Sequence, residues 1–531
     1  MHKIEKDSSL YRLAVRVARI FEPADNEFWI TRFLFLRLLG AIYTVAFLTL
    51  LNQVHPLLGS RGLLPVHLFV ERMETISGSS WTAFWQVPSL MWITSSDSFM
   101  YALCWLGFSL SLLLLCGISS AALLVFLWVL YLSFVNVGQI FYGYGWEILT
   151  LEVGFLAIFL CPIRRPWIQL QHSPPDKAVV WLLRWVLFRV MFGAGLIKLR
   201  GDPCWWDLTC LLNHYETQPI PNPISWYLHQ LPPSFHKVGV LFNHLVELVA
   251  PFLIFGPRRV RVFGGLLIAV FQVLLIVSGN LSWLNYLTLT LCVVCFDDRQ
   301  LRVLLPTKWT LSCCHPNRVE PTSYDVSPAR RSLSYALVLG IAYLSINPII
   351  NMISSRQVMN SSFDSLRIVN TYGAFGHVLK ERNEIVIEGT SDTVVTKSTE
   401  WRAYEFHCKP GDPNRSPCFA SPYQHRIDWQ MWFAAMSDYR AHPWFVHLVY
   451  KMLTDDQPTV DLLATNPFSD SPPTYLRAVL YQYEFTGPEM ITNAWWTRRR
   501  IREYLPPLSS DNPSLLRVIA SFGWPIATNS D

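Results

Sequence analysis

Lys198, in the run Gly195-Leu196-Ile197-Lys198-Leu199, is the residue with the clearest chemical potential. A lysine withdrawn from water holds its proton less tightly and can serve as a general base. Other ionisable residues fall in or beside apolar runs. Arg184 and Arg189 share the run of Lys198, His244 and Glu247 lie in the run 238–255, and Glu147 and Glu152 flank the start of the run 148–163. His244 and Glu247 are three apart and share one helix face. Charges inside such runs are costly and mark either function or buried pairing. Pairing is the plainer reading. Lys198 stands at the end of its helix, where its ammonium can extend to the interface and complement the negative end of the helix dipole. Arg189 and Glu247 can pair between neighbouring helices. Lys198, with Glu247, His244 and Arg189 nearby, is thus the catalytic candidate, set against that structural role. No Ser-His-Asp triad, phosphate loop or zinc site is recognisable. His2, His55 and His67 are isolated and read as solvated or interfacial, so no metal and no cofactor are expected.

Cysteine is the second reactive type, present 11 times. Cys104, Cys116, Cys161, Cys292 and Cys295 lie in or near apolar runs, where the thiol behaves as a small hydrophobe. Cys313 and Cys314 fall in a loop assigned to the reducing side and should stay reduced. Cys204 and Cys210 share one loop, and Cys408 and Cys418 bracket a turn-rich stretch containing Pro410, Gly411, Pro413 and Pro417. A structural disulfide is the expectation for both pairs, worth roughly 2–3 kcal/mol for so short a loop. Neither pair has the C-x-x-C spacing of thiol oxidoreductases. Sequons occur at Asn280, Asn360 and Asn414. Asn280 sits close to a predicted span, which leaves Asn360 and Asn414 as the glycosylation candidates.

The elements that must position these residues are mostly membrane helices. Apolar residues make up 51% of the 531 and charged residues 15%, too little polar surface for a water-exposed body. The 22 tryptophans suit a bilayer, where amphipathic rings settle at the headgroup level. A formal charge of +5 gives no reason to expect nucleic acid. Met1 to Arg19 has no long apolar core, so no cleavable signal peptide is read there. Span-length runs fall at 33–51, 99–115, 119–137, 148–163, 178–199, 238–255, 262–278, 283–296 and 333–353, about nine crossings. Basic residues cluster between them: Lys3, Lys6, Arg12, Arg16 and Arg19; Arg164 and Arg165; Arg258, Arg259 and Arg261; Arg299, Arg302, Lys308, Arg330 and Arg331. A cytoplasmic N-terminus puts every cluster on the cytoplasmic side, as positively charged loops require. An odd number of crossings then places the chain after residue 354 in the lumen.

The sequence therefore divides into two regions. Residues 1–354 form a polytopic α-helical membrane domain. Its segment 52–98, with Trp81, Trp85 and Trp92, lies in the interface, and its loop 201–237 is lumenal. Residues 355–531 form a mainly β soluble lumenal domain, with alternation at Glu384-Ile385-Val386-Ile387-Glu388-Gly389 marking a half-exposed strand. This domain ends in a basic, Trp-bearing tail, Trp495-Trp496-Thr497-Arg498-Arg499-Arg500.

Longer strings go beyond pattern. Asn370-Thr371-Tyr372-Gly373-Ala374-Phe375-Gly376 with Lys380-Glu381-Arg382, Tyr404-Glu405-Phe406 with Cys408-Lys409-Pro410-Gly411-Asp412, and Arg426 through Ala435 resemble the lipase maturation factor family. Asn466-Pro467-Phe468 and Trp495 through Arg499 continue the likeness. In the membrane region, Gly195 through Asp202, Cys204 through Leu208, and His214 through Pro223 resemble it too. The resemblance covers most of the chain, from about residue 30 to 525. The resemblance implies a protein of the endoplasmic reticulum membrane required for secreted homodimeric lipases, of the lipoprotein lipase kind, to become active. A bacterial relative would instead sit in the inner membrane. The implied partners are immature secreted lipases, the folding machinery of the endoplasmic reticulum and the lipid bilayer. The implied client-binding part is the lumenal domain, where Trp429, Trp432 and Phe433 are the candidate contacts. These aromatics can equally be core residues. The membrane region also resembles, more distantly, the transmembrane domain of vitamin K-dependent carboxylase, in which a lysine at the position of Lys198 acts as base. A non-enzymatic, chaperone-like folding factor is the leading reading, and a membrane enzyme built around Lys198 is the alternative. A transporter is disfavoured because no inverted repeat is visible.

Overall fold

Apolar runs in a bilayer settle as helices because a span has no water to satisfy its peptide groups and must make its own hydrogen bonds. The computed structural model describes residues 27–161, 175–304, 328–489 and 494–526. Lys3, Lys6, Arg12, Arg16, Arg19, Arg164, Arg165, Lys308, Cys313 and Cys314 lie outside the described residues.

Five helices among the described residues are long and apolar enough to cross a membrane: Trp29–Leu58, Asp97–Cys116, Lys177–Gly201, Arg258–Ser278 and Arg330–Ile353. The count of about nine does not follow from them. Ala121–Val137 and Leu284–Cys295 are apolar but shorter. The run 148–163 becomes Gly145–Ile158, 14 residues long and buried continuously from Gly145 to Gly154. It is a core helix of the bundle. The run 238–255 breaks into Pro233–His244, a π-helical turn at Leu245–Val249 and the short helix Ala250–Leu253. Pro251 explains the break, since it supplies no N–H to an α-helical ladder and its ring crowds the preceding turn.

Long-range polar contacts order these helices. Trp29–Leu58 has no capping side chain of its own at Phe28. Asp298 takes that role, accepting from the Trp29 N–H at 3.0 Å and the Ile30 N–H at 2.8 Å. The basic cluster of the Arg258–Ser278 helix is partly neutralised, with Arg258 and Arg261 at 2.9 and 3.1 Å from Asp297. In the segment read as interfacial, the helices Val66–Ser77 and Ser80–Gln86 are largely uncovered, and Trp81 and Trp85 are exposed.

The C-terminal region is mixed rather than mainly β. Its antiparallel sheet has the strand order Arg402–Ala403, Arg382–Thr390, Tyr475–Phe485, Trp496–Leu508. Helices Arg426–Ala434, Pro443–Leu453 and Pro513–Ser521 accompany it. Two expectations are corrected. The strand at 384–389 is buried nearly throughout, because its polar face is also covered. There Glu384 meets Arg382 at 2.6 Å and Lys409 at 3.1 Å, and Glu388 meets Arg477 at 2.8 Å. The basic segment after Trp495 is no tail: Trp496–Leu508 is a 13-residue edge strand whose exposed arginines keep the open edge charged.

Candidate functional site

Lys198 projects from the last turns of the Lys177–Gly201 helix into a cavity of about 250 Å³. Its ammonium donates to Glu247 Oε1 at 2.6 Å and to Asn243 Oδ1 at 2.9 Å. Asn243 in turn donates to Glu247 Oε2 at 3.1 Å, which closes a three-membered network. All three side chains are buried. The π-helical turn matters here, because Glu247 lies within it and is placed facing Lys198. Trp205 forms one wall, its ring 4.9 Å from Lys198 Nζ.

Glu247, grouped in the sequence with both Arg189 and Lys198, pairs with Lys198 and not with Arg189. Arg189 lies nine residues before Lys198, about 14 Å along the helix, and pairs instead with Glu152. Glu152 also accepts from Tyr372 Oη at 2.6 Å and the Asn370 N–H at 3.1 Å. His244 turns away from Lys198 and hydrogen-bonds the Trp205 carbonyl through Nε2 at 3.0 Å. The sequence reading missed Asn243, Trp205 and His214 as cavity residues. Asn243 is one helical turn before Glu247, a spacing that could have found it. Trp205 and His214 come from a loop whose path no periodicity reveals.

The loop is tied down by Cys204 and Cys210, whose sulfurs are at bonding distance with Cα atoms 4.8 Å apart. Cys408 and Cys418 meet likewise, with Cα atoms 5.4 Å apart. Of the other described cysteines, four are buried and Cys116 is exposed. His214 is buried on the helix Leu211–Thr217, its ring edge-on to Phe375. Burial, and then the positive charge of Lys198, lower its pKa to about 4, so it is neutral near pH 7. For Lys198 to act as a base it must first give up a proton, and Glu247 is the group placed to take it. The cavity walls are mostly apolar, so the arrangement suits an amphiphile better than a hydrophilic substrate.

The cavity is roofed by the C-terminal region. Tyr372, Gly373, Ala374 and Phe375 line it, and the Trp205 indole N–H donates to the Phe375 carbonyl at 3.0 Å. Close backbone approach requires glycine on the membrane helix. A Cβ on Gly193 would fall 2.6 Å from the Tyr372 carbonyl oxygen, and one on Gly201 would collide with Gly376.

The candidate client contacts are placed differently from one another. Trp429 is 6% exposed, with its ring 5.0 Å from Trp146 of the membrane region. Trp432 is half-buried and donates its indole N–H to the Thr217 carbonyl at 3.2 Å. Phe433 is 36% exposed and is the most accessible of the three. Asn360 is half-buried in the cavity wall, whereas Asn414 is exposed in a turn. Asn280 is buried as a clamp, accepting from the Ala420 and Ser421 N–H groups and donating to the Cys418 carbonyl.

The other strings noted in the sequence join the two regions. Arg382 donates to the carbonyls of Glu216, Gln218 and Pro219. Gln430 donates to the Ile140 carbonyl at 2.7 Å, whereas Asp428 acts within the C-terminal region, accepting from the N–H groups of Cys408 and Lys409 at 2.6 and 2.9 Å.

Comparison with known proteins agrees with this division. The lipase maturation factor transmembrane domain matches residues 30–303, and the lipase maturation factor C-terminal domain matches residues 368–506. Lipase maturation factor 1 of Mus musculus is 44% identical over 95% of this chain and 92% of its own length. The Homo sapiens protein of that name is 44% identical over 94% of this chain and 91% of its own. Lipase maturation factor 2 of Rattus norvegicus is 31% identical over 92% of this chain and 84% of its own. No solved structure matches. With both of its regions matched in order and nearly its full length aligned, the chain belongs to the lipase maturation factor family.

Proposed function

We propose that the protein is a membrane-anchored maturation factor for secreted homodimeric lipases of the lipoprotein lipase kind, acting in the endoplasmic reticulum. The observation that carries this reading is the 44% identity to lipase maturation factor 1 along 95% of the chain. In this reading the N-terminus is cytoplasmic and the C-terminal region lumenal. The two cysteine pairs at bonding distance, in the loop 201–237 and at 408–418, support an oxidising environment for that side. Asn414, exposed beside the second pair, is the glycan acceptor of choice. The client is an immature lipase, met with the help of the resident folding machinery. Its contact surface includes the exposed side of the Arg426–Ala434 helix around Phe433, with Trp429 and Trp432 holding that helix in place. The protein works by binding and not by chemistry, and Lys198 serves structure.

The test is rescue. Cells lacking lipase maturation factors, co-expressing a homodimeric lipase and this chain, should secrete active enzyme. Normal lipase secretion without any gain in activity would overturn the proposal. Protease protection in sealed microsomes checks the orientation, since digestion of the C-terminal region from outside would reverse it.

A further inference from the structure

The cavity beside Lys198 contains more unmet polar capacity than its structural role accounts for. His214 and Asn285 are each more than nine-tenths buried and both line it. Among the described residues neither side chain has a hydrogen-bond partner, whereas buried polar groups almost always have one. Gln272, also buried and lining the cavity, directs its amide only to the Met191 sulfur at 3.5 Å. Three neutral hydrogen-bonding groups therefore surround the space, close to an ion pair whose charges cancel.

The opposite side is apolar and open. Phe235, Leu274 and Val277 line the cavity and are 44%, 51% and 41% exposed. Leu274 and Val277 belong to the Arg258–Ser278 helix, which is long and apolar enough to cross a membrane. Its neighbouring residues Phe263, Leu266 and Val270 are exposed as well. Such a face is covered by lipid chains, so the mouth opens to the bilayer.

We propose that this cavity is a binding site for an uncharged membrane lipid with a hydroxyl-bearing head, a monoacylglycerol being the probe of choice. The lipid enters tail-outward between the Pro233–His244 and Arg258–Ser278 helices. Its head takes the hydrogen bonds left open by Asn285, His214 and Gln272. Charge selects the head. An anion drawn to Lys198 meets Glu247 at 2.6 Å from that ammonium, and a cation meets the reverse arrangement. An uncharged head avoids both penalties. At about 250 Å³ the enclosed volume takes the head and upper chain, and the rest of the tail stays in the bilayer. The site is independent of the client proposed above.

The experiment uses the full chain in nanodiscs with a monoacylglycerol carrying a photoactivatable group in its acyl chain. Mass spectrometry then locates the adduct. We expect adducts on the Arg258–Ser278 or Pro233–His244 helix, displaced by unlabelled monoacylglycerol. Asn285→Leu with His214→Phe should weaken this labelling about tenfold or more, the loss of one or two hydrogen bonds. Leu274→Trp, which narrows the mouth and leaves the polar floor intact, should weaken it too. Unchanged thermal unfolding of each variant shows that the fold survives. Equal labelling by the matching fatty acid, whose head is anionic, would overturn the charge argument. Labelling spread over all lipid-facing helices, or indifferent to both variants, would mean bulk lipid contact only and would overturn the site.

Discussion

Arg426 of the C-terminal region and Glu147 of the membrane region, 279 residues apart in sequence, meet at 2.8 Å with both side chains wholly buried. Tyr131 donates to the same carboxylate, and the Arg426 guanidinium lies over the Tyr142 ring at 3.6 Å. An ion pair this deep is weak evidence of net stabilisation, but removing one partner leaves the other charged and uncompensated.

Arg426→Met and Glu147→Gln should each destabilise the whole protein by about 3–5 kcal/mol. The double variant should lose less than the sum of the two. Thermal unfolding in detergent, followed through both regions, measures this. Separate transitions, with the membrane region unmoved by Arg426→Met, would show that the two regions fold apart.

Trp429 and Phe433 share one helix but differ in burial, so their alanine variants should fail differently. Trp429→Ala removes a ring packed on Trp146 and Tyr144 and should cost about 3–5 kcal/mol, lowering abundance. Phe433→Ala removes a partly exposed ring that also touches Trp432 and should cost less, about 1–2 kcal/mol. Under the proposed function it should reduce lipase maturation per molecule of factor. Lipase activity normalised to the amount of factor separates these outcomes. Normal maturation by Phe433→Ala would remove that side chain from the client surface.

His447 makes stability depend on acid. It is buried in the C-terminal region, donates through Nδ1 to the Leu63 carbonyl at 2.9 Å and stacks on Trp524. Burial lowers its pKa from 6.5 to about 4; nearby Lys451 also lowers it, while the Leu63 hydrogen bond and Asp456 raise it. The unfolded chain therefore takes up a proton near pH 6.5, while the folded chain resists until about pH 4. Stability from this residue is present above pH 6.5 and is lost as pH falls from there towards 4. The full loss is roughly 3 kcal/mol. His447→Asn, which keeps a donor and cannot titrate, should flatten the decline in Tm between pH 7 and 5. An identical decline in the variant would rule His447 out as its source.

Much of this organisation was legible beforehand because it rests on local pattern. Apolar length found the helices, and alternation found the strand through Glu384 and Glu388. The misses share one physical cause. A run such as 148–163 reads as a span by composition, but only tertiary packing decides whether its neighbours are lipid or other helices. The polar face of Arg382–Thr390 reads as exposed because its cover, Lys409 and Arg477, comes from distant segments. At the cavity, Lys198 and Glu247 were both visible as ionisable residues in apolar runs. Glu247 could be set against either Lys198 or Arg189, and that choice was not legible, since it depends on which turns of two helices face each other and on a π-helical turn that periodicity does not announce.

That pairing decides what a Lys198 variant can mean. Lys198→Ala orphans Glu247 in a buried site and should lower abundance, a stability cost of about 3–5 kcal/mol. Lys198→Ala with Glu247→Gln removes both charges, and Gln keeps hydrogen-bonding capacity towards Asn243. Abundance should largely return. If Lys198 is structural, lipase maturation per molecule should be near normal in both variants, however much total activity falls in the single one. If it acts as a base, the double variant should be inactive at normal abundance and with normal client binding. We expect the first pattern, because Glu247 and Asn243 already accept the hydrogen bonds of the ammonium. The measurement is secreted lipase activity, normalised to the amount of membrane-resident factor, for wild type and the two variants side by side. An inactive, abundant double variant would move the protein into the class of membrane enzymes.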